Sequence, residues 1–147
     1  MPTAAKLVAG LVLGITAAVA AWLFVQDNAQ NVAIGLRFIG GTGIVGFFVG
    51  WFSLGQNPGQ STLGGLFNGL RSLVWLLICV ALVFSAIFVL TNLENNNFNE
   101  PMELPLLWIQ IAFDYIVDAL RRNIVTTLLI GGALAGVFAY HAGRRWT

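Results

Sequence analysis

Charge and cysteine are what this chain has least of. Of its 147 residues only 9% are charged. A soluble domain carries roughly 25%. With 58% hydrophobic residues, a chain of this size cannot both hide its apolar side chains and wet its surface in water. One cysteine, Cys79, and one histidine, His141, exclude a disulfide framework, a CxxC redox pair and a zinc site of Cys/His spacing. A net charge of +1 leaves no broad basic face, so nucleic acid is not an expected partner. Acids are absent from most of the length. Asp27, Glu94, Glu100, Glu103, Asp114 and Asp118 are all six, and they fall just after a first apolar run and between a third and a fourth.

What the chain does have is long uncharged runs. Leu7 to Val25 and Ser72 to Leu90 are each 19 residues, Asn123 to Tyr140 is 18, and Phe38 to Leu54 is 17. A bilayer core of about 30 Å takes roughly 20 mostly apolar residues as helix. The fold class read from this is all-α: a single polytopic membrane domain over residues 1–147 with four transmembrane helices, at about 4–25, 32–54, 72–90 and 123–140. The first run is longer than the apolar core of a signal peptide, and it reads as an uncleaved span. Arg37 sits near the end of the second, where its head can snorkel to the headgroups. Gly55 to Gly69 reads as a loop, with Gln56-Asn57-Pro58-Gly59 as its turn signal, and Arg71 as the opening of span three. Pro101 and Pro105 bracket a short extended stretch.

The segment of about 104–122 is apolar along most of its length, with Asp114, Asp118, Arg121 and Arg122 in its second half. It reads as an interfacial amphipathic helix, with a fifth span as the alternative. A span would place Asp114 near mid-membrane, at a cost of roughly 2.5–3.5 kcal/mol. Asp118 stands three and four residues before the arginines, a spacing that supports helical ion pairs. Four spans put Lys6, Arg71, Arg144 and Arg145 on one side, and Arg37, Arg121 and Arg122 with every acid on the other. The count of basic residues favours cytoplasmic termini. Trp22, Trp51, Trp108 and Trp146 lie near the expected interfaces, and Trp75 near the start of span three.

Glycines recur at a spacing of four: Gly10 and Gly14, Gly46 and Gly50, Gly132 and Gly136. Two such residues share a helix face and let another backbone approach closely. These six are the expected helix-packing residues, against this bundle or against another membrane protein. Gly64, Gly65 and Gly69 do not make a phosphate loop, since no strand precedes them and no Lys-Ser/Thr follows. Asp114 and Asp118, with Arg37, are the candidates for a polar or ion site; on an interfacial helix the acids are its wet face. His141 is an axial ligand at best and otherwise an interfacial polar residue. Cys79 reads as a small hydrophobe. No nucleophile–base pair, two-carboxylate site or metal set is present, and the chain reads as no enzyme. No cofactor is called for; a bound lipid or pigment is compatible with the chain, but nothing in it indicates one. The expected partners are membrane lipids and other integral membrane proteins, or a homo-oligomer.

Both ends of the chain carry a resemblance. Met1-Pro2-Thr3-Ala4-Ala5-Lys6-Leu7 at the start, and Leu129-Ile130-Gly131-Gly132-Ala133-Leu134-Ala135-Gly136 followed by Arg144-Arg145-Trp146 at the end, resemble the TrgA family of small alphaproteobacterial inner-membrane proteins. Gly46 to Trp51 and Asn68-Gly69 are similar to the middle of that family. The resemblance implies a bacterial inner-membrane location and a link, by name, to tellurite resistance. It brings no catalytic set. An acidic residue is common in the family where this chain has Tyr140-His141, which weakens any role for that position. Three functions stand side by side. One is an accessory subunit of a respiratory or photosynthetic complex, packing through glycine faces. Another is a stand-alone contributor to oxyanion tolerance. The last is a small transporter or channel using Arg37, Asp114 and Asp118.

Overall fold

The computed structural model describes residues 3–27, 32–56, 61–92 and 103–145, and every regular element among them is helical. Helix α1 is Thr3–Asp27, α2 is Val32–Val49, α3 is Thr62–Asn92, α4 is Glu103–Ala119 and α5 is Arg122–Arg145. A π-helical turn, Gly50–Leu54, continues α2, closed by the Gly55 N–H donating to the Gly50 carbonyl at 3.0 Å. Helices α1, α2 with its π turn, α3 and α5 are long and apolar enough to cross a membrane. Helix α4, at 17 residues, is the short amphipathic fifth. The chain is an all-α polytopic membrane protein.

Three boundaries differ from the sequence reading. Helix α3 starts at Thr62, so Thr62 to Gly69 is helix and not loop. Ser61 caps it, its Oγ accepting from the Gly64 N–H at 3.1 Å. The glycines of this turn are poor helix formers, but their bare face packs against α5, and packing overrides propensity. Pro105 lies in the first turn of α4, where a missing N–H costs nothing, and not in an extended stretch. Helix α4 also stops at Ala119. Leu120 and Arg121 form a turn, with the Arg121 N–H donating to the Asp118 carbonyl at 3.3 Å, and α5 begins at Arg122. The turn around Asn57–Gly59 and the residues 93–102 lie outside the described residues.

Helix α1 is the hub, with Ala9, Leu13 and Ala17 buried in the core. Its neighbours α2 and α5 both run antiparallel to it. Along α2, Gly35 meets Val25, Gly46 meets Ala17 and Gly50 meets Ala9. Along α5, Gly131 meets Thr16. Helix α3 packs antiparallel on the far side of α5, where Gly65 meets Gly136 and Tyr140, and Leu73 meets Gly132. The row is therefore α2, α1, α5, α3. The ends of the row meet as well: the Phe38 and Phe84 rings lie 4.4 Å apart, and the π turn after α2 also touches α3.

These contacts also fix relative depth. The uncharged runs of α1, α2 and α5 are centred on Thr16, Gly46 and the Gly131–Gly132 pair. These centres sit together, because Gly131 meets Thr16 and Gly46 meets Ala17. Helix α3 is out of step. Its uncharged run centres on Ala81, yet the residue level with Gly132 is Leu73. That is a displacement of eight residues, about 12 Å at 1.5 Å per residue. Two things follow. The last apolar turns of α3 project past the acidic end of the bundle. Arg71, two residues from Leu73, lies near its middle and not at the opening of a span.

Hydroxyls inside the bundle bond back to their own helices, as lipid requires. Thr16 donates to the Val12 carbonyl at 2.7 Å, Ser72 to Gly69 at 2.6 Å and Ser85 to Leu82 at 3.1 Å. Among the described residues, the buried Thr42 hydroxyl has no partner.

Candidate functional site

The six glycines singled out above all face helices of this same chain. A Cβ on Gly10 would meet the Phe47 ring and carbonyl at 3.0 Å; on Gly14, the Gly43 carbonyl at 3.1 Å; on Gly46, the Ala17 methyl at 2.6 Å. On Gly50 it would meet the Ala9 carbonyl at 2.6 Å, and on Gly132 the Leu73 side chain at 2.5 Å. On Gly136 it would fall on the Gly65 carbonyl. Gly65 and Gly69 complete this last seam, and the sequence reading left them in a loop. Their own spacing of four, matching that of Gly132 and Gly136, was the available signal. Close backbone approach of this kind gains dispersion contacts where no hydrophobic force operates between helices. The glycine faces are consumed in building the bundle.

The polar residues at the acidic end are only partly brought together. Arg121 in the α4–α5 turn lies 4.0 Å from Asp27 and 3.9 Å from Asp118, with all three side chains well exposed. Exposed pairs at this distance contribute about 0–1 kcal/mol. Among the described residues Arg37 and Asp114 make no ion pair, and both are exposed. Arg37, Asp114 and Asp118 line neither the bundle cavity nor the grooves beside Trp75 and His141. A cavity of about 50 Å³ in the bundle is lined instead by apolar side chains such as Ala17, Phe38 and Leu76, with Thr42 and Tyr115 at its wall. Burial pushes the Tyr115 phenol up from its ordinary pKa of 10.0.

Helix α4 lies along the projecting part of α3. The Trp108 indole N–H donates to the Leu82 carbonyl at 3.2 Å, and the Tyr115 ring lies tilted against that of Phe24 of α1, 6.3 Å between centroids. The amphipathic faces are only half used. Ala112 is buried, while Leu106, Ile109 and Phe113 on α4 and Leu90 on α3 are 65%, 61%, 65% and 64% exposed. These apolar side chains stand at the end that carries Asp27, Asp114 and Asp118.

At the opposite half of the bundle, α2 with its π turn and α3 leave a groove of about 560 Å³ between them. Asn68, Arg71, Trp75 and Cys79 form one stripe of α3 along it, at helical spacing. Phe48, Phe52 and Ser53 of α2 and the π turn form the facing wall. The guanidinium of Arg71 makes no ion pair among the described residues. A charge at this depth costs roughly 2.5–3.5 kcal/mol on insertion scales. Trp75 is in the groove as well, a turn from mid-bundle and away from the interface expected of it.

His141 lies near the end of α5. Its Nδ1 is 3.0 Å from the Val137 carbonyl and its ring is edge-on to Tyr140. Among the described residues no group of three His, Cys, Asp or Glu side chains could hold a metal ion. Comparison with family models, with curated proteins and with solved structures finds no match.

Proposed function

We propose that this chain is a non-catalytic accessory subunit of a larger membrane complex, docking through α4 and the projecting end of α3. The carrying observation is the exposed apolar surface of Leu90, Leu106, Ile109 and Phe113. It stands at the acidic end, next to the interfacial Asp27–Arg121–Asp118 cluster. Contiguous apolar surface rimmed by polar groups marks protein or membrane contact. The glycine faces, expected at first to do this docking, are filled by the chain's own helices, so the surface moves to α3 and α4.

The test is a tagged purification from native membranes in mild detergent, with mass spectrometry of what co-purifies. Stoichiometric recovery with one complex is expected, and Ile109→Asn with Phe113→Asn should abolish it while leaving the helical content intact. Recovery of the wild-type chain alone, or only as a homo-oligomer, sinks this reading.

The resemblance to the TrgA family supports a second reading, a contribution to tellurite or oxyanion tolerance in the bacterial inner membrane. It is compatible with the first, since a disturbed energy-transducing complex alters tolerance indirectly. Unchanged tellurite sensitivity after gene deletion would argue against it. A transporter reading has less support, because Arg37, Asp114 and Asp118 line none of the cavities described above. We further propose that both termini are cytoplasmic. Lys6, Arg144 and Arg145 stand at one end apart from the acids, whereas Arg121 at the other is engaged by two aspartates. A fluorescent-protein fusion at Thr147 that fails to fluoresce while a phosphatase fusion is active would reverse this orientation.

A further inference from the structure

We propose that the groove between α2 and α3 binds an anionic phospholipid, with Arg71 holding its headgroup. Three observations converge on this. Arg71 is a cation near the middle of the bundle, flanked by Gly69 and Leu73, which both lie against Gly132. No carboxylate of the described residues pairs with it. The four acids among the described residues, Asp27, Glu103, Asp114 and Asp118, lie on segments at the opposite end, so the same four in a second copy of like orientation do not reach this depth either. That points to a counterion from another molecule.

The groove is graded along its length. Ser53 lies between Gly50, which meets Ala9, and Gly55, which meets Lys6; Asn68 lies one residue before Gly69. Both are on the side of Arg71 that faces the chain termini. On the other side the walls are Val45 and Cys79. Side chains on a helix lean toward its N-terminus, so Arg71 reaches toward Asn68 and the membrane surface at that end. A polar mouth with a cation behind it, opening onto an apolar floor, matches a phosphate above an acyl chain. The volume of about 560 Å³ falls within the range of about 300–1,000 Å³ typical of ligand sites, enough for a headgroup and part of one chain. The π turn belongs to this design. Phe52 and Ser53 of this turn stand on the groove wall, and single π turns recur at functional sites.

Cys79, the only cysteine, reports on occupancy without any substitution. The purified full chain is reconstituted in phosphatidylcholine nanodiscs with or without phosphatidylglycerol, and alkylation of Cys79 by a membrane-permeant maleimide is timed. Phosphatidylglycerol should slow it and phosphatidylcholine should not. By native mass spectrometry Arg71→Gln should retain phosphatidylglycerol about tenfold less than wild type, the scale of one lost charge-assisted contact. Arg71→Lys should keep part of that retention and Arg37→Gln all of it. Equal alkylation rates in both lipids, or undiminished retention by Arg71→Gln, overturns the proposal. Protection by oleate but not by phosphatidylglycerol assigns the groove to free fatty acids and overturns it too. So does shielding found only in native membranes alongside a cross-linked protein, which would make the occupant a partner helix.

Discussion

Replacing Gly69 by alanine adds one methyl group where the structure has no space for it. The new carbon would fall on the Gly132 carbonyl oxygen, with the Gly132 carbonyl carbon at 3.1 Å and the Gly136 Cα at 3.3 Å. All three are backbone atoms of α5, so no rotamer relieves the overlap and the two helices must part. A radial gap of about 0.5–1 Å already forfeits a quarter to a half of each dispersion contact across a seam. Overpacking of this kind costs about 1–3 kcal/mol. Alanine's better helix propensity returns up to about 1 kcal/mol. The expected net effect is destabilisation by about 1–2 kcal/mol. Gly40→Ala is the matched control, because a Cβ there meets nothing within 4 Å. Only the propensity gain applies to it, and it should be neutral or slightly stabilising. Both variants are compared with wild type by far-UV circular dichroism during titration of dodecylmaltoside micelles with sodium dodecyl sulfate. If Gly69→Ala unfolds at the same midpoint as Gly40→Ala, α3 and α5 do not cross where described, and the depth assigned to Arg71 falls with that crossing.

The same titration serves three further substitutions. Thr42→Val removes a buried hydroxyl with no partner and keeps the shape, so stability should rise by about 1 kcal/mol; a loss would mean that the hydroxyl is satisfied. Trp108→Phe deletes the donor to the Leu82 carbonyl, should cost about 0.5–1.5 kcal/mol, and should speed amide exchange in α4 ahead of the other helices. Tyr115→Phe should remove an alkaline loss of stability. The folded phenol holds its proton more tightly than the unfolded one, so its contribution is complete below about pH 10 and fades as pH rises through the folded value. Identical melting curves for wild type and Tyr115→Phe between pH 9 and 11.5 would refute that (both limits bracket the phenol's ordinary range, roughly 10).

The four crossings were legible because uncharged runs of 17 to 19 residues leave little else for a chain to do. The depth of each crossing was not. A hydropathy run locates a helix by its own composition, whereas α3 is located by where Gly65 and Gly69 fit Gly132 and Gly136. Fit between two surfaces is not written in either alone, so Arg71 was read as the end of a span when it lies inside one. The loop reading of Thr62 to Gly69 failed for a related reason. Glycine, serine and asparagine signal a turn in water, but in a membrane the same small residues build helix contacts. Asp118 and Arg121 were paired correctly by spacing, although a helix was assumed where the structure has a turn.

Transmembrane helices enter the bilayer before they find their neighbours, each at the depth its own apolar run prefers. Inserted alone, α3 would centre on Ala81 and leave Arg71 at the lipid headgroups. Docking on α5 then draws it about 12 Å along the membrane normal, a vertical shift as well as a lateral meeting. An assembly in these two stages would end in a sliding step. If the groove takes a phospholipid as proposed, the guanidinium would begin that step among phosphates and end it in the groove, and the rate of assembly should then depend on the lipid composition of the membrane.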